Sequence, residues 1–361
     1  MTNLFTPITL GKLEIPNRVW MSPMCQYSCE GQDGIPTDWH LVHLGTRASG
    51  GAGLVMAEAT AVTPEGRITP WCTGIWNDQQ TAAWKKIVDF IESQGSVPAL
   101  QLAHAGRKGS SQRPWLGSGT VEIENGGWQT VSPSEIAFDG YKAPRALATS
   151  EVHALIEDFL NAAKRAVSAG FKLLEIHAAH GYLIHQFLSP LSNKREDEFG
   201  GDLENRSRFL VEILRAIRGE FPEIPILIRF SATDYAEGGW DLEQTIEVAS
   251  RCRELGADLF DISSGGLVGG VKIPTGPSYQ AHFAEELKTS IGENDVVSAV
   301  GQITETQQAN ELVSSGKVDA VMLGRQLLRD PYWPLRAAHE LGIEISWPNQ
   351  YLRGKFPNDA G

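Results

Sequence analysis

The chain of 361 residues is short of cysteine, with four in all. Cys25 and Cys29 stand at a C-x3-C spacing, but Cys72 and Cys252 supply neither the second pair of a zinc site nor the run that holds an iron–sulfur cluster. Basic charge is also scarce: 31 Lys and Arg face 44 Asp and Glu, a formal net charge of −13. Such a surface repels nucleic acid and anionic lipid, so neither is expected as a partner. A local phosphate site stays open, because it needs only a few backbone N–H groups and an arginine. No apolar run approaches the ~20 residues that cross a bilayer. Met1–Leu10 has no basic stretch followed by an apolar one, so no signal peptide is expected there. Free thiols in a cytoplasmic protein are the expectation. No G-x-G-x-x-G follows any strand-like run, which leaves a Rossmann dinucleotide site unsupported.

What the chain does have is an alternation of short apolar runs with amphipathic stretches. Val19–Pro23, Gly53–Ala57, Val97–Leu102, Phe171–Ile176, Pro225–Phe230, Asp258–Ile262, Asp295–Val300 and Val318–Leu323 read as eight strands. Helices are expected over Asp38–Ser49, Asp78–Ser93, Glu151–Ser168, Leu203–Arg218, Leu242–Leu255, Glu305–Ser315 and Pro334–Leu341. Strands that are apolar throughout are buried on both faces, as in a parallel sheet. Eight β/α units in one chain favour an α/β fold of the closed (β/α)8 TIM-barrel type over a doubly wound sheet. One domain is expected over 1–361, with a barrel core over about 4–342 and a C-terminal tail over 343–361. The stretch Arg107–Thr149 is too long for an ordinary βα loop. It reads as a capping excursion over the barrel mouth, with a hairpin as one form of it and a plain surface loop as the other reading.

In such a barrel, chemistry collects at the C-terminal strand ends. The sharpest cluster there is His177-Ala178-Ala179-His180-Gly181-Tyr182. It lacks the glutamate of H-E-x-x-H, and no metal is expected. Two neutral imidazoles can instead donate to one substrate oxygen, and Tyr182 adds a proton donor. That set suits reduction of a double bond conjugated to a carbonyl; histidines with a structural role in a loop are the alternative. Gly301 and Gly324-Arg325, after the last two strands, stand where barrels bind phosphate. Arg229 would put a fixed positive charge at the mouth, either facing a reduced flavin or paired with Glu175 or Asp261. Cys25 ends the first strand, where a thiol would touch a flavin or lie inert.

Together these residues resemble the old yellow enzyme family, in its thermophilic-like subgroup. The resemblance runs from about Leu4 to Arg353. It rests on Asn17-Arg18, Ser22 through Tyr27, Gln101 through Lys108, Glu175 through Asn193, Phe199-Gly200-Gly201, Glu204-Asn205-Arg206, Ser263-Ser264-Gly265 and Leu323-Gly324-Arg325. It implies noncovalent FMN, reduced by NADPH (NADH being the other donor), which passes hydride to the β-carbon of an enone, enal, maleimide or nitroalkene. His177 and His180 would bind the carbonyl or nitro oxygen, and Tyr182 would protonate the α-carbon. Ser22, Pro23, Met24 and Cys25 would lie along the flavin ring, Ala59 and Gln101 would touch its ring and pyrimidine edge, and Arg229 would face N1 and O2. Ser264, Gly265, Gly301, Gly324 and Arg325 would hold the ribityl phosphate region, with Tyr27 in the substrate wall. Cys25 and His180 carry the subgroup assignment. Tyr351-Leu352-Arg353-Gly354 matches the subgroup's tail, in which the arginine enters a neighbouring subunit's site, so Arg353 is the candidate in a homodimer or homotetramer. Lys355, where an aromatic often follows the glycine, departs from that pattern. A phosphate-binding isomerase or lyase would explain Gly324-Arg325 but not Cys25, Gln101 and the His177/His180/Tyr182 set. A flavin-binding protein without catalysis would have no use for Tyr182, and a dienoyl-CoA reductase relative would carry an iron–sulfur cluster.

Overall fold

The computed structural model describes residues 2–292 and 295–356. Positions 357–361 of the expected tail therefore lie outside the described residues. A hairpin of β1 (Ile8–Leu10) and β2 (Leu13–Ile15) comes first; the sequence reading had no strand there. The barrel strands are β3 (Val19–Met21), β4 (Leu54–Ala61), β5 (Val97–Ala103), β8 (Leu173–Ala178), β9 (Ile226–Ser231), β10 (Leu259–Ser263), β11 (Val296–Val300) and β12 (Ala320–Leu323). They pair in parallel in chain order, and β12 closes on β3, so the barrel is sealed. This is the (β/α)8 barrel read from the sequence.

Alternate residues point inward, as the strand period of two requires. Trp20, Leu54, Met56, Ala99, Leu173, Leu227, Leu259, Ala320 and Met322 form one buried cluster with Ile8, Leu10 and Ile15 of the hairpin. The hairpin thus caps the lower end of a barrel that is filled with side chains. The larger cluster lies between strands and the outer helices, including Val55, Ala57, Leu100 and Ile176 against Trp84, Phe159 and Phe209.

The outer helices are α1 (Asp38–Ser49), α2 (Asp78–Ser93), α3 (Thr149–Ala169), α4 (Leu183–Leu188), α5 (Leu203–Glu220), α6 (Leu242–Glu254), α7 (Ala281–Ile291), α8 (Thr306–Ser314), α9 (Arg325–Arg329) and α10 (Trp333–Glu340). Asn77, Asp202 and Asp241 accept the N3 backbone N–H at the starts of α2, α5 and α6, which satisfies donors that the helix itself cannot. Helices α4, α7 and α9 are additions to the sequence reading. The first barrel strand is shorter than expected, ending at Met21, and β4 is longer, running to Ala61.

The excursion 107–149 is hairpin-like only over 110–121, where the chain doubles back antiparallel. Its two-residue strands β6 (Val131–Ser132) and β7 (Arg145–Ala146) pair in parallel, and a single antiparallel bridge joins Ser111 to Thr120. Arginine–aromatic contacts hold it to the barrel: the Arg67 guanidinium lies 5.4 Å from the Trp76 ring centroid and 5.1 Å from that of Trp128. Arg113 lies 4.3 Å from the Trp71 ring centroid.

Candidate active site

The C-terminal strand ends converge on a polar mouth. Register sets its layers: Gln101 on β5 faces Glu175 on β8, and one layer higher His177, Arg229, Asp261 and Ser298 run across β8 to β11. Gln101 Nε2 donates to Glu175. Arg229 Nε lies 2.9 Å from Asp261 Oδ2, and its Nη1 donates to Ser22 Oγ at 3.2 Å. Ser298 Oγ donates to the other oxygen of Asp261 at 2.9 Å. Burial pushes Glu175 up, against the pull of Arg229. Asp261 is pushed up by burial too, with Arg229 and Ser298 opposing.

On β4 the register slips between Ala57 and Ala59, a bulge with Glu58 as the extra residue. The slip brings Ala59 level with Gln101. Glu58 accepts the Gln26 N–H at 3.0 Å and lies 3.0 Å from His40 Nε2, so it ties down the loop that follows β3. That loop holds Pro23, Met24, Cys25 and Tyr27, all half-buried at the mouth. Cys25 keeps some accessible surface, yet burial, then the charge of Glu58, raises its thiol well above the ordinary range.

The histidine pair and tyrosine meet where β8 runs out. The His177 and His180 rings are nearly perpendicular with centroids 5.2 Å apart, and the His177 and Tyr182 centroids are 5.1 Å apart. His177 Nδ1 accepts the Ala179 N–H at 3.3 Å, which leaves Nε2 as the protonated nitrogen and a donor. His180 Nε2 lies 2.7 Å from Ser263 Oγ. The Ser263 hydroxyl is also placed to donate to Gln280 Oε1, at 3.3 Å, so His180 offers a ligand its Nδ1–H in the tautomer in which Ser263 donates to Nε2 instead. Burial, then Arg229, holds both imidazoles well below the usual histidine range and so neutral. Burial, with Cys25 and other acidic groups nearby, raises the Tyr182 phenol well above its usual value, so it keeps its proton.

A cavity of about 420 Å³ opens beside β10–β12, lined by Ser263, Tyr279, Gly301, Met322, Gly324 and Arg325 among others. Gly301 has φ +122°, a backbone form that favours glycine, and a Cβ there would meet Gln280 and the Tyr279 ring at 2.9 and 3.0 Å. Above Gly324 the space is open: a Cβ would find nothing nearer than Met24 Sδ at 3.7 Å. Arg325 is exposed at the rim. Ser264 and Gly265 are not in this lining. Ser264 Oγ donates to Gln280 Oε1 at 2.6 Å and accepts from Tyr235 at 3.0 Å, and the Gly265 N–H donates to Thr233 O at 2.8 Å. Arg353 lies exposed on a 3-10 turn, Asn349–Gly354, whose Tyr351 packs edge-on against Tyr332 at the start of α10.

The donor set fits FMN. Arg325 and the glycine backbones suit a phosphate, Arg229 a ring edge that becomes negative on reduction, and the half-buried Pro23–Cys25 segment a flat ring. Lys108, Ser263, Tyr279, Glu58, His185 and Asp234 had no assigned role from the sequence. Lys108, His185 and Ser263 fall inside the stretches that carried the resemblance. Among the described residues, no group of three or more His, Cys, Asp or Glu could hold a metal, and no helix is long and apolar enough to cross a membrane.

Residues 3–344 match the model of the NADH:flavin oxidoreductase / NADH oxidase family. An NADPH dehydrogenase of Listeria innocua is 45% identical, over 98% of this chain and 99% of that protein. Morphinone reductase is 31% identical with a TM-score of 0.78, over 96% of this chain and 91% of that one. The old yellow enzyme homologue from Zymomonas mobilis is 27% identical with a TM-score of 0.78, over 99% of this chain and all (100%) of that one. With a family match over nearly its whole length and a mouth whose donors suit FMN, the chain belongs to the NADH:flavin oxidoreductase / NADH oxidase family, as an FMN-dependent oxidoreductase of the old yellow enzyme type.

Proposed function

We propose that this protein is an ene-reductase of the thermophilic-like subgroup that spends NADPH to reduce electron-poor alkenes: α,β-unsaturated carbonyl compounds, maleimides and nitroalkenes. Bound FMN, held without a covalent link, would accept hydride from the nicotinamide and deliver it to the alkene β-carbon. The observation that carries the reading is the convergence of two neutral imidazoles and a protonated phenol, His177, His180 and Tyr182, on one side of the mouth. The likeness to an NADPH dehydrogenase of Listeria supports the donor, and the likeness to morphinone reductase supports a reductase.

The protein's own residues do the following. His177 Nε2–H and His180 donate to the carbonyl or nitro oxygen and stabilise the negative charge that grows there. Being neutral, they donate without giving up a proton. Tyr182 holds its proton until the α-carbon becomes basic, then supplies it as general acid. Arg229, fixed by Asp261 and Ser22, keeps a positive charge at the floor. Tyr27 forms one wall, braced edge-on against Trp115 with centroids 5.9 Å apart. The substrates are small molecules, and the protein works in the cytoplasm as a homodimer or homotetramer. Exposed Tyr351 and Leu352 precede Arg353, a surface suited to carry that arginine into a neighbouring mouth.

The test is NADPH consumption without dioxygen. It should depend on FMN and on an added enone or maleimide, and His177→Ala should weaken binding of phenols, which resemble the enolate. Consumption that needs no alkene, or unchanged phenol affinity, would contradict the reading.

A further inference from the structure

The turn that carries the reacting side chains is strained and tightly held. His180 has φ +58° and Gly181 φ +71°, two left-handed residues in succession. Only glycine fits the second position, because a Cβ would lie 2.2 Å from Gly266 O. A conformation of this kind persists only when its surroundings over-determine it. Ser231 Oγ accepts the His180 N–H at 2.9 Å. Lys108 Nζ donates to His180 O and Gly266 O at 2.8 Å each. Gln186 Nε2 donates to Gly181 O at 2.7 Å. A further tether is His185 Nδ1, which accepts the Gly181 N–H at 2.9 Å.

His185 is the third residue of α4 and has no accessible side-chain surface, and its Nε2 lies 3.0 Å from Asp234 Oδ1, which is equally buried. The other oxygen of Asp234 accepts the Ser189 hydroxyl at 2.6 Å and the Trp240 N–H at 2.8 Å. With the Ser189 hydroxyl and the Trp240 N–H both donating to it, the buried Asp234 is set as an acceptor. A carboxylate facing Nε2 requires the proton there. That leaves the Nδ1 lone pair for Gly181, the one amide between His180 and Tyr182. A proton on Nδ1 would instead point at the Gly181 N–H.

From this geometry we infer that His185 and Asp234 are a positioning pair: the carboxylate fixes the imidazole tautomer, and the tautomer fixes the turn that aims His180 and Tyr182. The inference rests on the ene-reductase reading above. Neither residue lines the mouth, so both act through the turn. The pair is distinct from the His177 and His180 clamp, which would touch substrate.

Asp234→Asn separates this role from simple support. Whichever way the amide lies, its NH2 faces either His185 Nε2 or the Trp240 N–H, so one contact is lost. In the FMN-loaded, NADPH-reduced protein, the variant should be reoxidised by 2-cyclohexenone about tenfold more slowly or worse, while reoxidation by dioxygen, which needs no oxyanion clamp or phenol, stays within about twofold. Equal slowing with both oxidants, or none with either, would overturn the positioning role. Wild-type protein that dioxygen reoxidises and 2-cyclohexenone does not would instead contradict the ene-reductase reading. Nitrogen-15 NMR of histidine-labelled wild-type holoenzyme tests the pair without any variant. A proton on Nε2 and a bare Nδ1 accepting from Gly181 are expected; a proton on Nδ1 would overturn the inference.

Discussion

Arg229 and Asp261 stand directly opposite each other on β9 and β10, with Nε 2.9 Å from Oδ2 and both side chains almost wholly buried. The partner is set by register. Glu175, the other carboxyl group within reach, pairs with Leu227 one layer lower and takes Gln101 instead. Removing one member of a buried pair leaves the other charge uncompensated, at about 3–5 kcal/mol. Arg229→Met should therefore lower the melting temperature and weaken FMN retention, whereas the double variant Arg229→Met with Asp261→Leu should recover stability but not FMN. Calorimetry and flavin absorbance after gel filtration check both; a single variant as stable and as yellow as wild type would contradict the assignment.

Tyr182→Phe should cut reoxidation by 2-cyclohexenone by about 10²-fold or more, the usual scale of a general acid. Reduction by NADPH should change far less. Stopped-flow absorbance separates the two half-reactions. Equal losses in both would show that the phenol supports the site without giving a proton.

Much of this site was legible in the sequence because strand ends are easy to find. Runs such as Val97–Leu102 are apolar on both faces, and the residues that follow them must sit at the mouth. Other parts were hidden for physical reasons. Glu58 reads as the end of a strand because it is charged; only the bulge shows that β4 continues to Ala61. Helix α7 follows a glycine- and proline-rich loop and buries only Ala281, Ala284, Leu287 and Ile291, too weak a stripe to stand out. The hairpin of β1 and β2 is made of three-residue strands that matter only once a barrel exists to be capped. His185 and Asp234 lie in different β/α units, so no local pattern could pair them. The excursion 107–149 was recognised by its length alone, and its parallel pairing of β6 with β7 needs contacts that length does not specify.

The thiols should be unreactive. Burial raises Cys25 well above the free-thiol range, and raises Cys72 and Cys252 to about 12. Only the thiolate attacks, and each unit of upward shift cuts its share about tenfold. Iodoacetamide at pH 8 should label the folded protein far more slowly than the unfolded chain, as read by intact mass. Rapid labelling of Cys25 would contradict its buried, protonated state.

Acid should unfold the protein through its buried histidines. Burial, with help from Arg47 and His40, lowers His43 to about 3, and burial alone lowers His104 to about 3. A base whose folded pKa is depressed binds its proton more tightly when unfolded. Stability is therefore intact above the unfolded value of about 6.5 and falls as pH drops from there toward 3. These two groups alone give a limiting slope of up to about 2.7 kcal/mol per pH unit, with His177 and His180 acting in the same direction. Denaturant unfolding at pH 7.0, 6.0 and 5.0 should show a steepening loss. A flat profile across that window would mean that these rings are solvated or charged in the folded state.

The most direct measurement is the visible spectrum of the purified protein without dioxygen, taken before NADPH, after NADPH and after 2-cyclohexenone. A yellow protein that bleaches with NADPH and recolours with the enone is the expected result. A colourless protein that takes up no added FMN, or one that bleaches and stays bleached with every enone, maleimide and nitroalkene offered, would contradict the assignment of ene-reductase.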